Sequence, residues 1–399
     1  MVRVRPLRVG IYFNARREQG GLYQYAVSLV DCLNRYGTRH CYVLFYAGLN
    51  ALPVHPQGEN WQVVSLPPDA VRLRMGIEVG LMTLARLGLY FPLKVLPSFP
   101  QVDAARLDVM LYVKPTLHVF QWDYPCVFPV HDLQHRLQPQ FPEVSAGGEW
   151  RRREYLYRNA IPKARAILVD SETGKEDVLS LYSADARHVF PLPYIAPEHL
   201  RSADLTSSSL EVVRQRYCLP QEYLFYPASF WTHKNHLRLL EAVCILREQH
   251  GVSARLVLAG GKRHDYPKVL EQVHRLGLSE QVFFLGYVPD EDMEALYRMA
   301  FALVMPTFFG PTNIPVLEAW AYDCPVITSD LRGIREQVGD AALLVDPQRA
   351  EQIAEAILRL YRQPDVRQTL IDLGKKRLQL WKPQHFASRL EEILAEVAL

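Results

Sequence analysis

The run Phe301-Ala302-Leu303-Val304-Met305 is followed, three residues later, by Phe309-Gly310-Pro311-Thr312-Asn313-Ile314-Pro315-Val316-Leu317-Glu318-Ala319-Trp320. Five consecutive apolar residues read as a strand buried on both faces, and the small-residue turn after them opens a helix. Together they spell one strand–turn–helix unit of a parallel sheet. Such a turn brings free backbone N–H groups and the positive end of a helix dipole to one point, which suits an anion. Glu318 lies about one turn inside the helix, where a carboxylate repels phosphate but accepts hydrogen bonds from a diol. A phosphate at the helix tip with a ribose beside it describes a nucleoside diphosphate. An ordinary βα turn carrying a solvated glutamate fits this local pattern equally well.

The same alternation runs through the whole chain, which predicts an α/β fold with parallel sheets. Strands are expected near 8–13, 42–46, 61–65, 108–112, 127–130, 166–169 and 188–192. After them come 223–227, 255–259, 282–285, 301–305, 325–328 and 342–345. Helical periodicity falls between them, notably at 22–35, 149–160 and 172–181, the last with a capping box in Thr173 and Glu176. The polar stretch 201–209 is the expected linker. Beyond Pro364 the chain is helical, and Trp381-Lys382-Pro383 interrupts it before an amphipathic helix at 384–397. With 399 residues, 49% of them apolar, two cores are expected rather than one. Two such domains imply a cleft, with ligands at the carboxyl ends of the strands.

A net charge of +2 argues against a nucleic-acid binder. The six cysteines are scattered without paired spacing, as expected of reduced cytoplasmic thiols. The basic start of the chain passes straight into a strand pattern without a cleavable apolar region, and no run is long enough to span a bilayer. Segment 71–96 interleaves Arg72, Arg74, Arg86 and Lys94 with large apolar residues. It reads either as a surface helix packed on its own domain or as a peripheral contact with a membrane.

Candidate functional residues fall at strand ends. Gly20-Gly21 follows the first strand and opens a helix, so it reads as a close approach to a ligand or as a plain flexible turn. His131-Asp132 follows the fifth strand, where an imidazole can donate to a sugar hydroxyl or stabilise developing charge; a purely structural histidine is the alternative. In the loop Ser229 to His236, Lys234 offers an ammonium for a diphosphate, with His233 as a second donor, against the ordinary reading of a solvated lysine. The turn at 332–336 adds Gly333 and Glu336, a ligand contact or the cap of the helix it begins. Tyr23 and Gln24 are acceptor-contact candidates. No Asp-x-Asp pair or His/Cys cluster has metal-ligand spacing, and neither a P-loop nor a Gly-x-Gly-x-x-Gly fingerprint is present, so no metal and no cofactor are expected.

The order of these pieces resembles glycosyltransferase family 4, the retaining, sugar-nucleotide-dependent enzymes of the GT-B fold. The resemblance covers Gly20-Gly21, Val130-His131-Asp132, Val169 to Glu172, Lys234-Asn235 and Pro315 to Ala319, then Cys324 to Ile327, Gly333 to Glu336 and Ala341 to Pro347. It implies two Rossmann-like doubly wound domains facing across a cleft. The N-terminal, acceptor-side domain would span 1–200 and be completed by a C-terminal helix at 384–399; the donor domain would span 201–383. It further implies that Lys234 contacts the donor diphosphate, that Glu318 binds the ribose, and that the Asn313 and Ile314 amides meet the distal phosphate. His131 would lie against the transferred sugar. Implied partners are a nucleotide-sugar donor and a glycan or lipid-linked acceptor, at the inner membrane face. Two positions depart from the family pattern: Gly310 stands where an acid usually reads the sugar, and Ser229 where a base usually helps hold phosphate. A variant donor pocket follows, with Thr312 or Asn313 supplying the missing polar contact. A sugar-nucleotide epimerase and a non-catalytic nucleotide-binding relative are the alternatives.

Overall fold

Val9, Ile11, Leu44, Val109 and Leu111 have no more than trace exposure, and they face one another across three neighbouring strands. The computed structural model describes residues 5–47, 52–91, 94, 96, 98–198 and 206–398. The chain divides into two units, Met1–Ile195 with Lys382–Leu399, and Ala196–Trp381.

The first unit is built on a seven-stranded sheet of β1 (Arg8–Phe13), β2 (Cys41–Tyr46), β3 (Trp61–Ser65), β4 (Val109–Tyr112), β5 (Cys126–Pro129), β6 (Ala166–Val169) and β7 (Val189–Pro191). Its order is β3-β2-β1-β4-β5-β6-β7, parallel throughout. The central strands are apolar along their length because helices cover both faces. Only the edge strand β3 is largely exposed. A Cβ on Gly10 in β1 would lie 2.4 Å from Leu107 Cδ1, so a larger residue there would push that side chain aside.

The helix Pro383–Val397 belongs to this unit and packs on the helix Gly21–Tyr36. Glu391, 2% exposed, fixes it by accepting from the Tyr42 hydroxyl and the Arg39 amide, each at 2.8 Å.

The second unit holds β8 (Leu224–Pro227), β9 (Leu256–Ala259), β10 (Val282–Gly286), β11 (Ala302–Met305), β12 (Val326–Ser329) and β13 (Leu343–Val345). They form one parallel sheet in the order β10-β9-β8-β11-β12-β13.

All the expected strands form, with ends shifted by about one residue. Three expectations change. The helix Glu172–Tyr182 is capped by Ser171, whose Oγ accepts from the Gly174 amide at 3.0 Å, so Thr173 lies inside it. Of the expected linker, 201–205 lies outside the described residues, and Thr206 caps a helix, Ser207–Arg216, in place of a coil. The supposed turn at 332–336 is itself a helix, Arg332–Val338, with Glu336 in its interior and not at its cap.

Candidate functional site

In the second unit the chain lays down β8, winds to β9 and β10 on one side, then returns to place β11 on the other. The loops after β8 and β11 therefore leave adjacent strands in opposite directions and open a crevice at the carboxyl end of the sheet, the position where α/β folds bind ligands. Lys234 is on the first of these loops, and Gly310, Thr312 and Asn313 are on the second.

The two loops are bonded together. The His233 carbonyl accepts from the Phe308 amide at 2.8 Å and the Thr307 hydroxyl at 3.2 Å, and the His233 ring stacks on Phe309 with centroids 3.9 Å apart. His233 is thereby buried as a packing element. Tyr226 donates its hydroxyl to the Lys234 carbonyl at 2.9 Å, fixing the backbone from which the half-buried ammonium arm extends. Asn235 adopts left-handed φ/ψ of 61° and 35°, and its Nδ2 donates to the carbonyls of Pro306 at 2.9 Å and Pro347 at 2.7 Å. It thus ties three loops through one side chain, a role the sequence reading did not give it. Ser229 turns to the loop after β9, where its Oγ accepts from the Gly261 amide at 3.3 Å.

The helix Ile314–Ala321 begins at this crevice. Asn313 does not offer its amide there: the N–H donates to Gln337 Oε1 at 3.0 Å, and the Asn313 carbonyl accepts from Gln337 Nε2 at 2.9 Å. The donors left for an anion are the first-turn amides from Ile314 onward, less Pro315, which has none. Gly310 and Thr312 are half-exposed beside them. Glu318 is 7% exposed, and its Oε2 accepts from the Tyr297 hydroxyl at 2.6 Å. Burial pushes its carboxyl up to about 7, against the Tyr297 hydrogen bond and with help from Asp290. Glu318 is thus a held, partly protonated carboxyl, and the solvated carboxylate of the simplest reading is excluded.

The first unit repeats the arrangement. Its chain order reverses between β1 and β4, and a cavity of about 510 Å³ opens there. Asn14, Arg16 and Gln19 reach it from the loop after β1, Lys114 from the loop after β4, and His131 and Asp132 from the loop after β5. The helices Pro68–Arg86 and Glu149–Lys163 close its sides. His131 Nδ1 lies 2.9 Å from the Tyr194 hydroxyl, and the ring meets Tyr25 edge-on at 4.7 Å. With the phenol as donor, the imidazole proton sits on Nε2. Burial lowers His131 to about 4, only partly offset by Asp132, so the ring is neutral at pH 7 and acts as a hydrogen-bond donor rather than a charge. Burial alone would raise Asp132, yet Arg153 at 2.9 Å and the Gln134 amide at 3.0 Å hold its carboxylate low.

Gly20 needs its residue type, with φ at 57°, whereas both Gly20 and Gly21 have open space where a Cβ would go. Of the two acceptor-contact candidates, Tyr23 is buried and Gln24 half-buried. Among the described residues no cluster of three His, Cys, Asp or Glu side chains is placed to hold a metal ion.

Residues 217–377 match the family model for glycosyl transferases group 1, a span containing every strand of the second unit and both loops of its crevice. This part of the chain is a group 1 glycosyl transferase domain. The chain is 28% identical over 222 residues to O-antigen chain mannosyltransferase B of Escherichia coli, an alignment covering 55% of this chain and 57% of that one. The chain thus spans little more than half the length of that relative. In three dimensions it is similar to the sucrose-phosphate synthase of Thermosynechococcus elongatus, with a TM-score of 0.70, 18% identity and 98% of both chains covered. The Anabaena protein HepE in complex with UDP and glucose superimposes with a TM-score of 0.68 at 16% identity, over 98% of this chain and 100% of that one. The group 1 domain is thus the second Rossmann-like half of a GT-B fold.

Proposed function

We propose that the chain is a retaining, metal-independent glycosyltransferase that moves a hexose-type sugar from a nucleoside-diphosphate donor to a hydroxyl of a glycan or lipid-linked acceptor. The reading rests chiefly on the crevice of the group 1 domain, where the Lys234 loop is bonded to the loop that opens the helix Ile314–Ala321. HepE's complex with UDP and glucose and the mannosyltransferase relative support a nucleotide-sugar donor of this kind.

In the proposed reaction the bond between the anomeric carbon and the diphosphate oxygen breaks, and negative charge grows on the leaving group. Lys234 and the first-turn amides from Ile314 stabilise that charge without reorganising. The acceptor oxygen bonds to the anomeric carbon on the face just vacated, and its proton passes to the departing diphosphate. Glu318 takes the ribose hydroxyls, and the His131 Nε2–H donates to a hydroxyl of the transferred sugar. The N-terminal unit supplies the acceptor site.

Peripheral membrane contact through 71–96, on the cytoplasmic side, fits the helix Pro68–Arg86, which shows Leu73 62% and Val79 65% exposed beside Arg72 and Arg86. Residues 92, 93 and 95 of that segment lie outside the described residues. Among the described residues no helix is long and apolar enough to cross a membrane.

A panel of sugar nucleotides screened by thermal shift tests the donor half of the proposal, because a ligand bound only by the folded state raises Tm. A specific shift, followed by transfer with retained anomeric configuration in the product, is expected. No shift with any sugar nucleotide, or an epimerised donor formed without acceptor, overturns the reading.

A further inference from the structure

Six cationic side chains line the cavity of the first unit: Arg16, Arg74, Arg86, Lys114, Arg152 and Arg153. Fewer carboxylates answer them. Glu149 serves Arg86 at 3.1 Å, Arg152 at 2.7 Å and Arg153 at 3.2 Å, and Asp132 also takes Arg153. Three guanidiniums therefore share two carboxylates. Glu78, the remaining acid on the wall, accepts from the Thr116 hydroxyl at 3.3 Å and lies 3.9 Å from His118 Nδ1. Lys114 donates to a neutral partner, the Gln19 amide oxygen, at 3.4 Å. Arg16 forms no ion pair among the described residues.

Among the described residues no carboxylate forms an ion pair with Lys114 or Arg16, and Arg152, whose charge Glu149 answers, lines the same cavity. Burial brings the Lys114 ammonium down to about 8; Glu78 opposes this, and Arg16 and Arg152 add to it. Gathering like charges out of water is unfavourable unless something of opposite sign joins them.

The same cavity is lined by neutral polar residues with unused capacity. Asn14 Oδ1, His118 Nε2 and His131 Nε2 are buried and have no hydrogen-bond partner among the described residues, and His118 is only 3% exposed. A cationic cavity that also holds unfilled single donors and acceptors matches a polyhydroxylated ligand that carries one strongly anionic group. Arg forks and a lysine point charge, converging from three elements, suit a phosphate.

We propose that this cavity binds a phosphorylated sugar, with the phosphate on Lys114, Arg16 and Arg152 and sugar hydroxyls on Asn14 and His118. The identification of that sugar as the acceptor rests on the glycosyltransferase reading above; the phosphate site itself does not. The ligand is either a free hexose phosphate or a sugar carried on a lipid diphosphate.

Calorimetry of the full chain at constant ionic strength tests this with inorganic phosphate, glucose, glucose 6-phosphate and a polyprenyl-diphosphate sugar in micelles. Saturable phosphate binding is expected, weakened about tenfold by Lys114→Gln and again by Arg152→Gln, the effect of one charge-assisted hydrogen bond each. Stabilisation of both variants by UDP or GDP, as in the wild type, would show that they fold. Glucose 6-phosphate binding tighter than glucose supports the proposal with a soluble ligand; tight binding of the polyprenyl-diphosphate sugar alone supports it with a lipid-borne one. Absence of saturable phosphate binding, or binding equal in wild type and both variants, overturns it. Transfer to an uncharged acceptor at a rate indifferent to Lys114→Gln overturns this inference and leaves the transferase reading standing. Phosphate binding without any sugar-nucleotide binding does the reverse.

Discussion

The Tyr297 hydroxyl donates to Glu318 Oε2 at 2.6 Å, joining the helix Asp290–Met299 to the helix that opens the crevice of the group 1 domain. Both side chains are almost wholly buried. This carboxyl is therefore placed by its neighbour before any ligand arrives, and its protonation is linked to folding.

That linkage has a definite sign. The folded state raises Glu318 from 4.5 to about 7, so between those pH values it binds more protons than the unfolded chain, and this group's contribution to stability falls as pH rises. Over the window the loss is about 3 kcal/mol. Glu318→Gln should remove it: Tm of the variant measured against wild type should gain steadily from pH 4.5 to 7 and stay level above. Parallel curves through that window would refute the linkage. Donor KM should rise in the same variant, because an amide accepts a diol less well than a carboxylate.

Buried histidines act in the opposite direction. Burial lowers His118, His131 and His135 to about 4 and His236 to about 3, so each is neutral in the folded state and takes up a proton on unfolding below its unfolded value of 6.5. Stability from these four is complete above pH 6.5 and is lost as pH falls toward 4. Near pH 5 these five groups should together take up about three protons on unfolding, four by the histidines less one released by Glu318, and Glu149 and Glu154, held low at about 2 in the fold, add to the uptake. Calorimetric unfolding in buffers of different ionisation enthalpy measures that number, and a net release would contradict it.

Lys234→Ala should reduce turnover by about 10²-fold, the scale for removing one preorganised group that stabilises transition-state charge. Tm should hardly move, because the bonds that fix this loop use the Lys234 carbonyl and the Asn235 side chain, both of which the substitution leaves in place. Unchanged turnover would remove Lys234 from the site.

Gly333 faces Pro311 so closely that a Cβ would lie 2.4 Å from the proline Cβ and carbonyl oxygen. Gly333→Ala should cost about 1–3 kcal/mol in urea unfolding, as overpacking does. It should also weaken sugar-nucleotide binding, since the displaced helix carries the Gln337 that holds Asn313. Wild-type affinity in the variant would show that this contact does not shape the crevice.

If the exposed face of the helix Pro68–Arg86 meets lipid, Leu73→Glu with Val79→Glu should abolish co-sedimentation with anionic vesicles, at little cost in stability because both side chains are already in water. Unaltered sedimentation would assign that face another role.

The strands were legible because each is a short run of apolar residues between turn signals, and a parallel sheet covered on both faces demands that pattern. Lys234 was legible as a position on a strand-end loop, and Glu318 as one about a turn inside the helix that follows a strand. Their surroundings were not, because the partners come from far along the chain: Gln337 takes the Asn313 amide from 24 residues away, and Tyr297 reaches Glu318 from 21. A glutamine or tyrosine in a helix carries no local sign of such a bond. Ser171 displaced Thr173 as a cap because hydroxyls two positions apart compete for the same turn, and the backbone decides between them. The cationic cavity was hidden for a related reason: its charges sit on two loops and two helices and gather only when the sheet forms.

The helix Pro383–Val397 completes the first unit although a whole second unit precedes it in the chain. During synthesis the first sheet must wait, with the apolar side of the helix Gly21–Tyr36 uncovered, while the contiguous 196–381 segment has everything it needs to fold at once. The half that begins first is thus finished second, and a chain cut before Lys382 would keep every strand and helix of its group 1 domain while its opening half lacked the helix that covers Gly21–Tyr36.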